Sequence, residues 1–242
     1  MSRESFNWSL LDRKKLIAIL NGARKSVVGQ RLSIEKLHKI LAQQIRSQLP
    51  VKVKFQRRAD QEHGLVYIGG CYYGDSDKGK KSAYVEIIFS YFMWDEYLKI
   101  TQYRWQKMCE VFADTVLHEI IHIRQYRSRN WKSLVGYESQ AELAKTRKNQ
   151  NYYGHPDEIG AYAFNIACEL YNRFGKKHFS IQKYLNSNNC KKHKRTTYST
   201  YLSIFEMNHS HPVIKRLKKK VMFYLPYAEF GKPFKTSDFI NY

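Results

Sequence analysis

The order of hydrophobic patterns along the 242 residues predicts an α+β fold, with helical periodicity first, then three short strand-like runs, then helices to the end. A long segment from Tyr103 to about Arg127 carries Met108, Val111, Phe112, Val116, Ile120 and Ile123 at helical spacing, directly after the last strand-like run. The composition, 43% hydrophobic and 15% aromatic with 12 Gly and 5 Pro, provides a packed core and excludes collagen-like and low-complexity classes. No stretch reads as a linker and no repeat is evident, so one domain spanning 1–242 is expected. Its parts are a helical 1–50, a sheet with the long helix over 51–127, and a helical 128–242.

Residues 10–20 and 33–48 are helical in pattern. In the second, Ser33 precedes Ile34, Leu37, Ile40, Leu41 and Ile45 at spacings of three and four, and Pro50 follows. The strand-like runs are VKVKF at 51–55, LVYIGGCYY at 65–73 and AYVEIIFSYF at 83–92, with turn chemistry between them, so a small, mainly antiparallel sheet is expected. Residues 128–155 are polar and basic, with a short helical candidate at 137–145. Pro156, Asp157 and Glu158 suit a helix start, and the pattern runs to about Phe174. Further helices are expected near 178–186 and 212–224, on either side of the polar insertion NSNNCKKHKRTT.

Lys and Arg number 42 against 21 Asp and Glu, a formal net charge of +21, which calls for a polyanionic partner or a functional field. The four cysteines, Cys71, Cys109, Cys168 and Cys190, are far apart with no CxxC pair and read as reduced thiols, mostly core filler. No run approaches the roughly 20 apolar residues of a membrane span. The N-terminal MSRESFNWSLLDRKKLIAIL lacks the apolar stretch of a signal peptide. A cytoplasmic protein with no membrane partner is expected, either cellular or made inside a host cell.

The chemistry concentrates in His118-Glu119-Ile120-Ile121-His122, an HExxH on the long helix. Residues i and i+4 share a helix face, so both imidazoles can address one metal ion, and Glu119 sits where it can act as a general base. Zinc is the expected ion, because it lowers the pKa of bound water towards about 7 and polarises a carbonyl. With 9 His and 13 Glu in the chain, chance would produce on the order of 0.02 such matches. Thr115, Val116, Leu117, Ile120 and Ile121 are uncharged, as suits a helix beneath a cleft.

The segment resembles the zincin metallopeptidases, with Ile123 matching their pattern and Arg124 departing from it. The metzincin branch is excluded, because Gln125 and Ser128 stand where it has a Gly and a third His. The run Glu158-Ile159-Gly160-Ala161-Tyr162-Ala163-Phe164 is similar to the ExxAxxF stretch of the ImmA/IrrE-like phage and bacterial zincins, which are of the gluzincin type. That resemblance implies Glu158 as third zinc ligand, on a helix that small Ala161 lets approach closely. An ordinary helix-start acid is the alternative reading of Glu158, and His155, Glu138 and Glu142 are rivals as ligand. Many gluzincins place Asp or Asn four residues after the ligand to orient the first His. Here Tyr162 stands there, which leaves Asp114 or a backbone carbonyl for that task.

His211-Pro212 with Arg216 one turn on resembles an HP-basic element of several gluzincins, including the CAAX-type proteases. It implies that His211 binds substrate or stabilises the oxyanion while Arg216 fixes the local structure; a simple helix-start role for His211 is the alternative. Tyr152 and Tyr153 are further oxyanion donors to consider. The resemblance also implies a zincin-like fold in which strand 83–92 is an edge pairing with an extended substrate, against the alternative of a buried central strand.

From Arg173 to Lys220 there are 13 Lys and Arg against the single acid Glu206, a net +12 in one fifth of the chain. DNA or RNA contact through 173–220 is expected from that density, with Tyr184, Tyr198, Tyr201 and Phe205 available either to stack on bases or to fill the core. Cys190-Lys191-Lys192-His193 lacks the second half of a zinc site and reads as a basic loop. Two functions follow. One is a zinc metallopeptidase acting on protein or peptide substrates, with similarity to SprT-like proteases in its basic character and a phage origin in keeping with it. The other is a non-catalytic nucleic-acid-binding or virion structural protein with a structural zinc.

Overall fold

The computed structural model describes residues 6–73, 84–129, 145–187 and 196–230. By its internal contacts the chain divides into two compact units, Met1–Trp131 and Lys132–Tyr242, at a boundary that composition alone does not mark as a linker. The class is α+β, as expected: both sheets lie in the first unit, and the described elements of the second are helices.

In the first unit, α1 (Arg13–Asn21) starts where the Asp12 side chain accepts from the Lys15 amide. A short α2 (Arg24–Val27) and β1 (Arg31–Ser33) follow. α3 (Ile34–Arg46) is capped by Ser33 and buries Ile34, Leu37, Leu41 and Ile45, the stripe visible in the sequence. Next come β2 (Lys52–Arg58), β3 (Val66–Tyr73), β4 (Tyr84–Phe92) and β5 (Tyr97–Lys99). β5 pairs antiparallel with β1 in a small sheet that the sequence pattern does not announce.

The main sheet has the order β2-β4-β3. β4 runs antiparallel to β3 but parallel to β2, so the sheet is mixed. For the strand at 83–92 an edge that pairs with substrate and a buried central strand were both open, and the structure decides for the second. β4 is central, with both backbone edges paired and Val85, Ile87, Phe89 and Tyr91 all buried. That alternation of apolar residues on one face, with Ile88, Ser90 and Phe92 on the other, belongs to a strand covered on both sides. Among the described residues, β3 is an edge strand.

Helix α4 (Gln102–Ser128) closes the unit; its first turn is capped by Thr101, whose hydroxyl accepts from the Arg104 amide. It packs against α1 on one side and β3 on the other. Every residue from Val116 to Gln125 is buried, so the HEIIH segment lies in a stretch enclosed on all sides.

The second unit comprises α5 (Lys145–Gly154), α6 (Pro156–Phe174), α7 (His178–Asn186), α8 (Thr197–Ile204) and α9 (Pro212–Phe230). α6 and α9 form its central pair, with Phe164 meeting Tyr224 edge to face at 5.8 Å and Leu217 and Val221 fully buried. α5 and α8 were not foreseen: KTRKNQNYYG carries almost no apolar periodicity, and α8 follows directly on the polar insertion. Tyr184, Tyr198, Tyr201 and Phe205 are all buried, so of the two roles open to them the structure shows core packing. Tyr198 donates to the Leu185 carbonyl at 2.6 Å and Tyr201 to the Tyr153 carbonyl at 2.9 Å, so their polar ends are spent on the fold.

Cys109 and Cys168 are buried and Cys71 is half-buried, and none of the three is in a disulfide among the described residues. The helical candidate at 137–145, apart from Lys145, and the loop 190–193 lie outside the described residues. No described helix is long and apolar enough to cross a membrane.

Candidate metal centre

His118 and His122 project from one face of α4 because they are four residues apart, and their rings meet at 4.9 Å with an interplanar angle of 74°. Glu158 stands in the first turn of α6, where Pro156 fixes the entry and the His155 Nδ1 accepts from the Asp157 amide at 3.3 Å. His118, His122 and Glu158 are buried, and one ligand atom from each lies within 4.8 Å of the others. A tetrahedral ion with bonds of about 2.0–2.2 Å separates its ligand atoms by roughly 3.4 Å, which falls inside that limit. Two imidazoles and a carboxylate removed from water suit a first-row transition ion better than magnesium or calcium, since those hard ions prefer oxygen throughout. The group therefore fits a metal ion, and its donors are those expected from the sequence.

The rivals for third ligand fare differently. His155 spends its Nδ1 on the α6 cap, and Glu138 and Glu142 lie outside the described residues. His211 is not a member of the buried group. Its Nδ1 accepts from the Val213 amide at 3.2 Å, and its ring lies over Phe205 with centroids 4.6 Å apart, which is the helix-start role for α9. With Nδ1 accepting, a neutral His211 carries its proton on Nε2.

The groups that hold the ligands were the harder part to foresee. Asp114, considered as a partner for a ligand histidine, instead receives the Arg13 guanidinium at 2.7 and 3.2 Å and ties α4 to α1. Burial raises its carboxyl above the usual range, and the Arg13 pair works against that rise. Gln125 does the orienting: its buried Oε1 lies 3.0 Å from His122 Nδ1, so that nitrogen donates and Nε2 keeps a lone pair for a metal. The sequence signal was the three-residue spacing on one helix face, overlooked because Gln125 entered only as a missing glycine.

Glu119 is buried, and Gly70 of β3 lies against it. A Cβ on Gly70 would fall 2.7 Å from Glu119 Oε1 and 2.8 Å from Thr115 Cγ2, so only glycine lets the strand backbone come this close. The Gly-Gly pair inside a strand was the available sign. Tyr162, one turn after Glu158, is half-buried among Tyr153 and Tyr201, with ring centroids 5.2 and 5.5 Å away. Burial first, then Tyr152, Tyr153 and Glu158, push its hydroxyl well above the usual tyrosine range, so it stays a proton donor. Lys220 of α9 is held below the usual lysine value by burial, opposed by Asp157 and reinforced by Arg216, which brings these two α9 cations into the field of the α6 start. No protein-family model, curated protein or solved structure matches the chain.

Proposed function

We propose that the protein is a zinc-dependent metallopeptidase of zincin-like, gluzincin-type arrangement. The observation that carries this reading is the buried His118, His122 and Glu158 donor group, with Glu119 directly after His118 on α4. Three protein donors among the described residues suit a catalytic ion, whereas structural zinc sites are closed by four. Zinc held there would polarise the substrate carbonyl and acidify water. Glu119 takes a proton from the attacking water and returns it to the departing amide nitrogen, a role that needs a carboxylate fixed in place, as the Gly70 contact fixes it. Gln125 keeps His122 in the metal-binding tautomer. Negative charge on the carbonyl oxygen would be met by the Nε2 proton of His211 or by Tyr152 or Tyr153, of which Tyr152 is exposed. An extended substrate would pair along β3, an edge strand among the described residues.

The basic segment suits substrates held on DNA or RNA, and the setting would be the cytoplasm, or a host cytoplasm or virion if the source is a phage. The competing reading keeps the zinc but not the chemistry: a nucleic-acid-binding or virion structural protein. Glu119→Gln separates the two. Zinc content and melting temperature should be unchanged while hydrolysis of denatured casein falls by about 10²–10⁴. Chelator-sensitive proteolysis that survives this change would refute the assignment. Glu158→Ala should lower zinc affinity, and full retention of stoichiometry and affinity would remove Glu158 from the ligand set.

A further inference from the structure

The face of α4 that carries the two histidines also carries, nearer its start, an open apolar cavity. Met108 and Val111 of α4, Val66, Tyr67 and Ile68 of β3, and Tyr103 line a space of about 270 Å³. Its mouth is accessible, with Tyr67 37%, Val111 44% and Tyr103 71% exposed. Single exposed apolar residues need no explanation, but three around one cavity do. The nearby cations are already engaged: Arg104 donates to the Gly64 carbonyl at 2.8 Å, and Lys107 pairs with Glu110 at 2.8 Å. The cavity therefore selects for apolar character, not for charge.

Helix geometry relates it to the candidate centre. Val111 precedes His118 by seven residues and His122 by eleven, about two and three turns, so all three lie within roughly 20° of one line along α4. At about 1.5 Å per residue the axial separations are roughly 10 and 16 Å. β3 runs from the cavity, at Val66 and Ile68, to Gly70 beside Glu119. Among the described residues only β4 pairs with it, so its other edge is available to an added strand. An extended peptide advances about 3.3 Å per residue and covers that distance in three to five residues. The cavity is smaller than the roughly 300–1,000 Å³ of small-molecule sites and is lined mainly by apolar groups, so its size matches one or two side chains.

From this we infer that the cavity is a specificity pocket, in which an extended polypeptide added along β3 seats a large aliphatic or aromatic side chain three to five residues from the bond that is cut. The inference rests on the peptidase reading for its substrate, and it makes that substrate an unfolded or extended segment with an apolar anchor at a fixed distance.

The test has two arms that fail separately. Fluorescein-labelled 14-residue peptides of Ser, Thr and Ala, carrying Leu, Tyr or Asp at one scanned position, are titrated by anisotropy against the zinc-loaded full chain bearing Glu119→Gln. Leu and Tyr peptides should bind about tenfold more tightly than their Asp counterparts. Adding Val111→Arg, or independently Tyr103→Asp, should erase that preference; both sites are exposed, and unchanged zinc content and melting temperature certify the fold. A preference that persists in both variants, or is absent from the parent, overturns the pocket. In the second arm, wild-type protein with the same peptides locates the cut by mass spectrometry. A favoured residue outside the three-to-five window also overturns the pocket, whereas absence of any cleavage overturns the peptidase reading and leaves the binding arm to decide the pocket.

Discussion

At the scale of single residues, the candidate centre depends as much on Gln125 and Gly70 as on the three donors. Gln125 has no proton to lose and no charge, so its contribution is orientation of His122 through one 3.0 Å contact. Gln125→Leu, of similar length without the acceptor, should weaken zinc binding about 10–100-fold in competition with a chromophoric chelator, with little effect on folding. Unchanged affinity would mean that His122 needs no such partner. Gly70 acts through what it lacks. In Gly70→Ala the new methyl group meets both Glu119 and Thr115 at under 3 Å, so strand or carboxylate must move. Hydrolysis should fall at least tenfold with zinc content intact, alongside a stability loss of about 1–3 kcal/mol measured in urea. Wild-type turnover in Gly70→Ala would show that the contact with Glu119 is incidental.

At the scale of elements, helices with a one-sided apolar stripe were legible and others were not. α3 and α6 announced themselves through caps and spacing, Ser33 before Ile34 and Pro156 with two acids. HEIIH carried its two candidate donors by spacing alone, whereas Glu158 needed resemblance to single it out, since an acid in a first turn is ordinary. β4 stayed open between edge and centre because alternation reports a buried face and says nothing about which backbone edges are paired, and edge status was what the functional reading required. α5 and α8 escaped because one is polar throughout and the other is buried through tyrosines, whose hydroxyls make a core segment look like surface. His38 on α3 gives this packing a pH signature. Its ring stacks on Phe55 of β2 at 3.7 Å, and its Nε2 is buried without a hydrogen-bond partner among the described residues. Burial holds its pKa down to about 4, with Glu35 opposing and Arg57 assisting. The unfolded chain takes up this proton below about pH 6.5 and the folded chain only near 4, so stability is complete above 6.5 and is lost as pH falls through that window. The loss should be on the order of 1 kcal/mol once partial exposure is allowed for. His38→Phe, which keeps the stack, should flatten urea midpoints between pH 6.5 and 4; an unaltered slope would assign the effect to other groups.

At the scale of the whole molecule, charge and chemistry separate along the chain. The donors end at Glu158, while more than half of the net +21 follows in 173–220. Tyr184, Tyr198, Tyr201 and Phe205 are buried and give no stacking platform, whereas Phe179 of the same segment is exposed, so phosphate contact by the cations is the main source of affinity to expect. Arg173, Lys176, Lys177, Lys183, Lys215, Arg216 and Lys219 are exposed there, whereas Lys218 is drawn to Asn186 and Lys220 towards Asp157. A surface of this kind binds by counterion release, so log Kd should change linearly with log salt and show little preference among sequences. If five of these seven cations, exposed among the described residues, engage duplex DNA, the slope of log affinity should be about −4.5, a weakening of roughly 10²–10³ between 50 and 200 mM salt. Reversing Lys177, Lys183 and Lys215 to Glu together should reduce that slope by about three and leave cleavage of a short neutral peptide unchanged. A salt response that is flat, or that survives the triple reversal, would mean that the excess charge serves something other than a polyanion, whereas loss of peptide cleavage together with DNA binding would tie the segment to the metal centre itself.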